Sequence, residues 1–310
     1  MPRTAAKWTN PDHTADGKTR AAVGLGRLKT LWFNTGTRCN LACANCYIKS
    51  SPRNDRLAYI TKEDMLPFID ELAAGDSGAA EIGFTGGEPF LNPHLAAMLE
   101  ECLARGFTVL ILTNAMTPMM RKTGALMDLR GKYRKRLRFR VSLDHYTAAV
   151  HEAERGPGSW SKAVEGLRWL AANGFVTSVA GRSLTKEKEP NMRAGYRRLF
   201  AGLGIELDSS DPERLILFPE LDDAADPPEI STACWRRLNR SPASVMCASS
   251  RMVVKRKCED SARVAACTLL PHDARFDLGR TLRESSRPVS LAHPYCASFC
   301  VLGGASCAPG

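Results

Sequence analysis

Three cysteines lie close together in one short segment, at Cys39, Cys43 and Cys46, directly after an apolar run that is typical of a buried strand. Thiolates are soft ligands, and three of them suit an iron–sulfur cluster while leaving one iron of a four-iron cube without a protein ligand. That iron would be open to a second molecule. Structural zinc usually takes four ligands from paired CxxC motifs, which this spacing does not supply. The spacing therefore favours an iron–sulfur site over zinc, and over three unrelated structural cysteines.

The chain contains eleven cysteines in 310 residues, counting these three. An odd count, in a chain whose first residues form no apolar signal segment, argues against a disulfide framework and for metal binding or redox chemistry. No run approaches the roughly 18 apolar residues of a membrane span, so we expect a soluble, cytoplasmic protein without a membrane partner. Seven cysteines crowd the last third of the chain: Cys234, Cys247, Cys258, Cys267, Cys296, Cys300 and Cys307.

The chain is basic, with 43 Lys and Arg against 33 Asp and Glu, a net charge of +10. Much of the excess lies in 121–140, where aromatic residues for base stacking are nearly absent. This composition favours a solvated basic face over a nucleic-acid surface. The charge is compatible with an anionic substrate.

Apolar runs alternate with segments of helical periodicity from residue 28 to residue 219, which predicts an α/β fold with a parallel sheet. The character changes after Pro219, where the chain becomes acidic and then cysteine-rich, and we place a boundary near residue 222. The predicted strands are 28–34, 81–85, 107–114, 137–144, 175–181 and 214–219. The predicted helices are 61–72, 93–106, a basic helix that ends near 132, 159–174 and one around 189–203.

Polar residues stand at the carboxyl ends of the predicted strands, where parallel sheets bind their ligands. They include Gly86-Gly87-Glu88-Pro89, Thr113-Asn114 and Ser142. Asp144 and His145 follow the fourth strand and are the candidate catalytic residues, Asp144 as a substrate contact and His145 as an acid or base. A lone histidine is more often structural than catalytic, so a structural role for His145 is the main alternative.

Alternation along the fourth predicted strand separates two faces. One is apolar, and the other carries Arg138, Arg140, Ser142 and Asp144. Arg140, together with Arg182 after the fifth strand, is a candidate for binding an anionic substrate inside the sheet.

The cysteine segment, CNLACANC, resembles the CxxxCxxC signature of the radical S-adenosylmethionine (SAM) superfamily, and the resemblance extends over about 28–220. It implies a partial (β/α)6 TIM-like barrel in which Cys39, Cys43 and Cys46 hold a 4Fe-4S cluster and SAM chelates the fourth iron. One electron then cleaves SAM to methionine and a 5′-deoxyadenosyl radical, which takes a hydrogen atom from a substrate. An external donor such as flavodoxin or ferredoxin would supply the electron.

The same resemblance implies roles for the residues at the strand ends. Gly86, Gly87 and Glu88 look like the segment that binds the methionine amino group, and Arg155 resembles an arginine that meets the cofactor carboxylate. Glycines permit close approach of the main chain, and a guanidinium suits a carboxylate.

Polar contacts to the ribose are implied for Thr113, Asn114 and Ser142. The chain departs from the family pattern at Asn45, where an aromatic residue near adenine is common. Tyr47, just after the motif, is the candidate for that adenine contact.

The C-terminal cysteines resemble the auxiliary-cluster extension called twitch, with a β-hairpin around Cys258. The implied ligands of a second 4Fe-4S cluster are Cys247, Cys267, Cys296 and Cys300, with Cys307 as an alternative to either of the last two. A zinc-stabilised tail or spare buried thiols are the other interpretations. The expected organisation is an N-terminal extension (1–27), a partial barrel (28–222) and a small cysteine-rich α+β extension (223–310).

The expected function is that of a radical SAM enzyme acting on a small molecule, by oxidation or rearrangement in a biosynthetic pathway. The alternative is a maturase that modifies a peptide or protein, which ranks second because such enzymes usually carry a leader-recognition domain and 1–27 is too short for one. A non-enzymatic iron–sulfur sensor or scaffold explains the cysteines but leaves the strand-end residues without a role.

Overall fold

A computed structural model describes residues 6–75, 81–185 and 187–306. Its strands match the six predicted positions to within two residues at each end, and it has four more, of which two form the predicted hairpin. They are β1 (Ala22–Val23), β2 (Thr30–Asn34), β3 (Glu81–Thr85), β4 (Thr108–Thr113), β5 (Leu137–Ser142), β6 (Val176–Ser183), β7 (Leu215–Pro219), β8 (Ser250–Val254), β9 (Arg263–Ala265) and β10 (Val289–Ser290).

Eight of these strands form one sheet in the order β7-β6-β5-β4-β3-β2-β8-β9. Neighbouring strands from β7 to β8 run parallel, and only the last pair, β8 and β9, is antiparallel. The predicted α/β fold with a mainly parallel sheet is therefore confirmed. The sequential order of β2 to β7 brings the carboxyl ends of six strands to the same edge.

The helices are α1 (Lys62–Ala74), α2 (Leu95–Ala104), α3 (Thr117–Met120), α4 (Thr123–Tyr133), α5 (Ala148–Arg155), α6 (Ser159–Ala172), α7 (Glu189–Leu203) and α8 (Cys234–Arg237). The predicted start of α1 is confirmed by a capping box between Thr61 and Asp64. The basic segment is two helices, α3 and α4, where the sequence predicted one. Among the described residues, the structure contains no helix with the length and apolar character that crossing a membrane requires.

The sheet separates two apolar cores. The first lies between the strands and the helices, and it contains the apolar face predicted for β5, with Leu137, Phe139 and Val141 fully buried. The second lies on the other side of the sheet and joins Trp32 and Leu110 to side chains from after residue 218. Most buried apolar side chains of the C-terminal third thus pack on the face of the sheet opposite the helices, while Val253, Ala262 and Val264 belong to the first core.

The predicted boundary near residue 222 is crossed by the sheet itself, because β8 pairs in parallel with β2. The antiparallel β8–β9 pair is the predicted hairpin, and Cys258 lies in its turn with a left-handed φ of 67°. The N-terminal segment also contacts the C-terminal third, since Arg20 forms a buried ion pair of 2.5 Å with Glu229. The three-part division stays a prediction.

Candidate active site

A cavity opens at the carboxyl ends of β3 to β7 and brings most of the predicted site residues together. Predicted residues in its lining are Cys39, Cys43, Cys46, Tyr47, Gly86, Gly87, Thr113, Asn114, Ser142, Asp144 and Arg155. Residues in the lining that were not assigned a site role include Asn45, Phe218, Thr268 and Leu269. Of the two arginines predicted to bind an anionic substrate, Arg182 belongs to the lining, whereas Arg140 is buried elsewhere and lines a different cavity. Glu88 and His145 are also absent from the lining.

The cysteine loop between β2 and α1 presents one buried thiol, Cys39, and two half-buried ones, Cys43 and Cys46. Burial raises the pKa of Cys39 to about 12 and also raises that of Cys43. Main-chain N–H groups point at the sulfurs, since Leu41 N lies 3.4 Å from Cys39 Sγ and Ser50 N lies 3.3 Å from Cys46 Sγ. Buried thiols become thiolates when metal binds, and N–H donors stabilise metal–sulfur groups, so this loop fits an iron–sulfur cluster. Within the described ranges, no three His, Cys, Asp or Glu side chains converge as ligands of a single ion.

The turn after β3 packs its main chain against the start of the cysteine loop. A Cβ on Gly87 would lie 2.1 Å from the carbonyl oxygen of Arg38, and one on Gly86 would lie 2.6 Å from that of Gly36. Gly86 also has a φ of 142°, which favours glycine. Both glycines are therefore needed to bring this turn into the cavity beside the cysteines.

Glu88 lies beneath the cavity and is 1% exposed. Burial raises the pKa of its carboxyl group to about 7. It accepts hydrogen bonds from Thr113 Oγ1 at 2.7 Å, from Asn114 N at 2.9 Å and from Phe90 N at 3.2 Å. Glu88 thus fixes the end of β4, so that Thr113 and Asn114 face the cavity.

Asp144 and Arg155 form a bidentate ion pair on the cavity wall, with Nε–Oδ2 at 2.6 Å and Nη2–Oδ1 at 2.7 Å. Burial favours the neutral acid, but Arg155 and then Arg182 outweigh it and lower the pKa of Asp144. Asp144 is therefore an anion whose acceptor oxygens are engaged by arginine. The sequence presented these two residues separately, and the structure makes them one unit.

Helix α5, which the sequence analysis did not predict, ties the cysteine loop to β6. Glu154 accepts from Asn45 N at 2.7 Å and from Arg182 Nη1 at 2.7 Å. Arg182 also lies over the ring of Tyr47, 4.8 Å from its centroid, and Tyr47 donates to the carbonyl oxygen of Pro219. Asn45, Tyr47 and Arg182 each stand out in the sequence, but no local pattern links them to Glu154 or to one another.

The two histidines near this edge are held by neighbouring residues. The His145 ring stacks on Tyr146 at 4.2 Å, and its Nδ1 lies 2.8 Å from Thr147 Oγ1. His151 is fully buried, and its Nδ1 accepts from Asp144 N at 3.1 Å. Burial, and then Arg155, lower the pKa of His151 to about 4. His151 is therefore a neutral structural group near pH 7.

The second set of predicted cysteines lies in the C-terminal third. Cys247, Cys296 and Cys300 are buried, and the last two share one π-helical turn, Cys296–Leu302. Burial, and then the proximity of Cys267, raise the pKa of Cys247 to about 12, while Cys296 interacts with both of these thiols. Buried thiols in mutual proximity fit a cysteine-ligated cluster. Cys307 lies outside the described residues.

The remaining cysteines lie apart from both sets. Cys102 is in the core, 3.7 Å from Met65 Sδ, and Cys258 is exposed in the hairpin turn. Cys234 is half-buried beside Ser231.

The fold and this cavity define an α/β enzyme with a cysteine-rich centre, and the family follows from a sequence match. The model of the radical SAM superfamily matches residues 33–188, just over half of the chain, so the chain belongs to that superfamily. It is an enzyme, and the family uses a 4Fe-4S cluster and SAM.

Two curated relatives each match a little under half of the chain. AlbA of Bacillus subtilis, an antilisterial bacteriocin subtilosin biosynthesis protein, is 32% identical over 149 residues, which are 48% of this chain and 32% of AlbA. The mycofactocin maturase MftC of Mycobacterium tuberculosis is 33% identical over 140 residues, 44% of this chain and 33% of MftC. The match thus spans about a third of the length of either relative.

Among solved structures, Streptococcus suis SuiB bound to SAM superposes with a TM-score of 0.58 at 13% identity, covering 81% of this chain and 63% of SuiB. SuiB bound to its precursor peptide SuiA gives a TM-score of 0.50 at 16% identity, covering 64% and 40%. At these identities the likeness shows a common fold.

Proposed function

We propose that this enzyme modifies a peptide or protein by abstracting a hydrogen atom from it. The names of AlbA and MftC, a bacteriocin biosynthesis protein and a maturase, favour this alternative over the small-molecule substrate expected from the sequence. SuiB, which shares the fold, has been solved with a precursor peptide. A peptide or protein is thus the substrate class that the relatives support best.

The observation that carries the chemistry is the convergence of the cysteine loop and the two-glycine turn on one cavity. In this proposal Cys39, Cys43 and Cys46 hold the 4Fe-4S cluster. The main chain at Gly86 and Gly87 would lie against the methionyl part of SAM. When bound, the cluster and SAM supply a one-electron route to hydrogen abstraction from an unactivated C–H bond.

Polar side chains around the cavity would orient SAM. Thr113, Asn114 and Ser142 offer hydroxyl and amide groups to the ribose, and Tyr47 offers a ring to adenine. Asp144 occupies Nε and Nη2 of Arg155, so a carboxylate of SAM would meet Nη1, with Asp144 holding the guanidinium in place. His145 and Glu88 are positioning residues in this scheme, because neither lines the cavity.

The wider architecture is assigned on the same basis. We assign β2 to β7 to the partial (β/α)6 barrel and residues 223–310 to an extension that covers its inner face. SPASM-type members of the superfamily carry additional clusters, and Cys247, Cys267, Cys296 and Cys300 are the proposed ligands of one here. Thr268 and Leu269, next to Cys267, line the SAM cavity, so this extension would also shape the substrate's path. A flavodoxin or ferredoxin would supply electrons.

The substrate class is tested with protein that has been reconstituted anaerobically with iron and sulfide. The reaction contains SAM, dithionite and either the low-mass or the macromolecular fraction of a host extract, and 5′-deoxyadenosine is measured. We expect the macromolecular fraction to stimulate product formation, and protease treatment of that fraction to abolish the stimulation.

Matched variants make this experiment specific. A Cys39→Ala, Cys43→Ala, Cys46→Ala triple variant should form no product, whereas Cys258→Ser, which changes an exposed cysteine outside both sets, should behave as wild type. Stimulation by the low-mass fraction alone would restore the small-molecule interpretation.

A further inference from the structure

Arg251, on β8, is a fully buried cation, and all its hydrogen-bond partners in the described part of the chain are main-chain carbonyl groups. Its side chain is 0% exposed. Nη1 donates to the carbonyl oxygens of Cys247 at 2.6 Å and Ser250 at 2.8 Å, and Nε donates to that of Ser285 at 2.9 Å. Nη2 lies 3.5 Å from the carbonyl oxygen of Arg287, and none of these acceptors carries a formal charge. The positive charge of Arg251 therefore remains uncompensated.

No carboxylate compensates this charge within the described ranges, where Arg251 forms no ion pair. The contrast with Arg20 is direct, because Arg20 is equally enclosed and contacts Glu229 at 2.5 Å. A buried charge without a counter-charge is strongly unfavourable, which makes an anion next to Arg251 a physical expectation.

The groups that surround Arg251 and can become negative are cysteine thiols. Cys247 lies four residues before it and offers its carbonyl oxygen to the guanidinium. On the neighbouring strand, Ala265 pairs with Met252, so the antiparallel register returns Cys267 to the start of β8. Thr268 Oγ1 lies 3.5 Å from Met246 Sδ, which places that segment beside Cys247. Both thiols interact electrostatically with Arg251.

We propose that Arg251 is the counter-charge of an anionic iron–sulfur cluster held by Cys247 and Cys267, and that it sets the reduction potential of that cluster. This inference rests on the auxiliary cluster of the proposed function. A positive charge close to a cluster stabilises the reduced form, which is the more negative one, and so raises the potential. Arg251 thus makes the auxiliary cluster a better electron acceptor.

The test is a redox titration of the reconstituted protein followed by electron paramagnetic resonance, with iron counted in parallel. Cys247→Ala identifies the auxiliary signal by its loss. Arg251→Gln removes the charge, Arg251→Lys keeps it, and Arg283→Gln removes an exposed arginine of the same region as the matched control. If Arg251 had only a structural role, its substitution would change the stability of the protein but not the midpoint potential of a cluster that is fully loaded.

We expect Arg251→Gln to lower the midpoint potential of the auxiliary cluster by at least about 59 mV, which corresponds to a tenfold change in the equilibrium constant of a one-electron reduction. Arg251→Lys and Arg283→Gln should keep the wild-type midpoint, and the Cys39 cluster should not shift in any variant. If Arg251→Gln loads no auxiliary iron while Arg251→Lys loads it normally, the counter-charge role is also supported.

An unchanged midpoint in Arg251→Gln, or loss of the auxiliary iron in both Arg251 variants, would overturn the proposal. A wild-type protein with no signal that depends on Cys247 would overturn it as well. In each case the formation of 5′-deoxyadenosine shows separately whether the proposed function stands.

Discussion

Substituting Gly87 by alanine tests whether the glycine turn and the cysteine loop form one rigid unit. The new Cβ would lie 2.1 Å from the carbonyl oxygen of Arg38, and ordinary contact begins at 3.4 Å, so the two segments must separate by about 1.3 Å. That movement breaks the bonds from Gly87 N to Gly36 O at 2.8 Å and from Glu88 N to Arg38 O at 3.0 Å. Two lost hydrogen bonds and the overpacking together cost about 2 to 5 kcal/mol.

The loss of stability should be measured by guanidinium chloride unfolding of the iron-free protein. The displacement of the loop should be measured as a loss of SAM affinity in the reconstituted protein. Because Arg38 adjoins Cys39, a displacement of this size should slow SAM cleavage by about a hundredfold. Gly124→Ala is the matched control, since its Cβ meets nothing within 4 Å in α4, and it should stabilise the protein by up to about 1 kcal/mol. A Gly87→Ala protein with wild-type stability and SAM affinity would refute the reasoning.

Three further predictions concern ionisable side chains. His151 has a folded-state pKa of about 4, so its contribution of about 3 kcal/mol is complete above pH 6.5 and is lost as the pH falls towards 4. His151→Gln should flatten the stability profile from pH 7 to pH 4 in urea titrations, and His13→Gln, at an exposed site, should not. Glu154→Gln should destabilise the fold by about 3 kcal/mol in the same assay, because Arg182 loses the closer of its two buried carboxylate partners, Glu154 at 2.7 Å and Asp144 at 3.9 Å. An unchanged unfolding midpoint would contradict the network. Burial opposes the ionisation of Asp277, but its contacts with Arg263 and Arg256 outweigh burial and lower its pKa to about 2. The ionised Asp277 should therefore stabilise the fold above about pH 4, and this effect should be lost as the pH falls towards 2. Asp277→Asn should abolish this acid dependence in the iron-free protein, and a retained dependence would place its origin elsewhere.

The strands and most of the helices could be predicted because their signals are local. Apolar β-branched runs mark strands such as 107–114, and a capping box marks the start of α1. Helix α5 was missed because it has only eight residues and no side-chain cap. The parallel pairing of β2 with β8 joins residues about 220 positions apart, and no local pattern encodes such a contact.

The candidate site divides in the same way. The spacing of Cys39, Cys43 and Cys46 is a local motif, and the sequence was sufficient to identify it. The contacts of Glu154 with Asn45 and Arg182 join three separate elements, so they could be found only in the folded chain. The burial of the Glu88 side chain is likewise a consequence of packing at the ends of β3 and β4, which the sequence alone does not reveal.

The most direct test of the central claim is the electron paramagnetic resonance spectrum of the reduced, reconstituted enzyme before and after addition of SAM. If the loop of Cys39, Cys43 and Cys46 holds a cluster with one iron open to SAM, adding SAM will change one signal. That signal will be missing from the variant with alanine at all three positions and present in Cys258→Ser. A spectrum that SAM leaves unchanged, or a SAM-sensitive signal that survives in the triple variant, would contradict the assignment of this cavity.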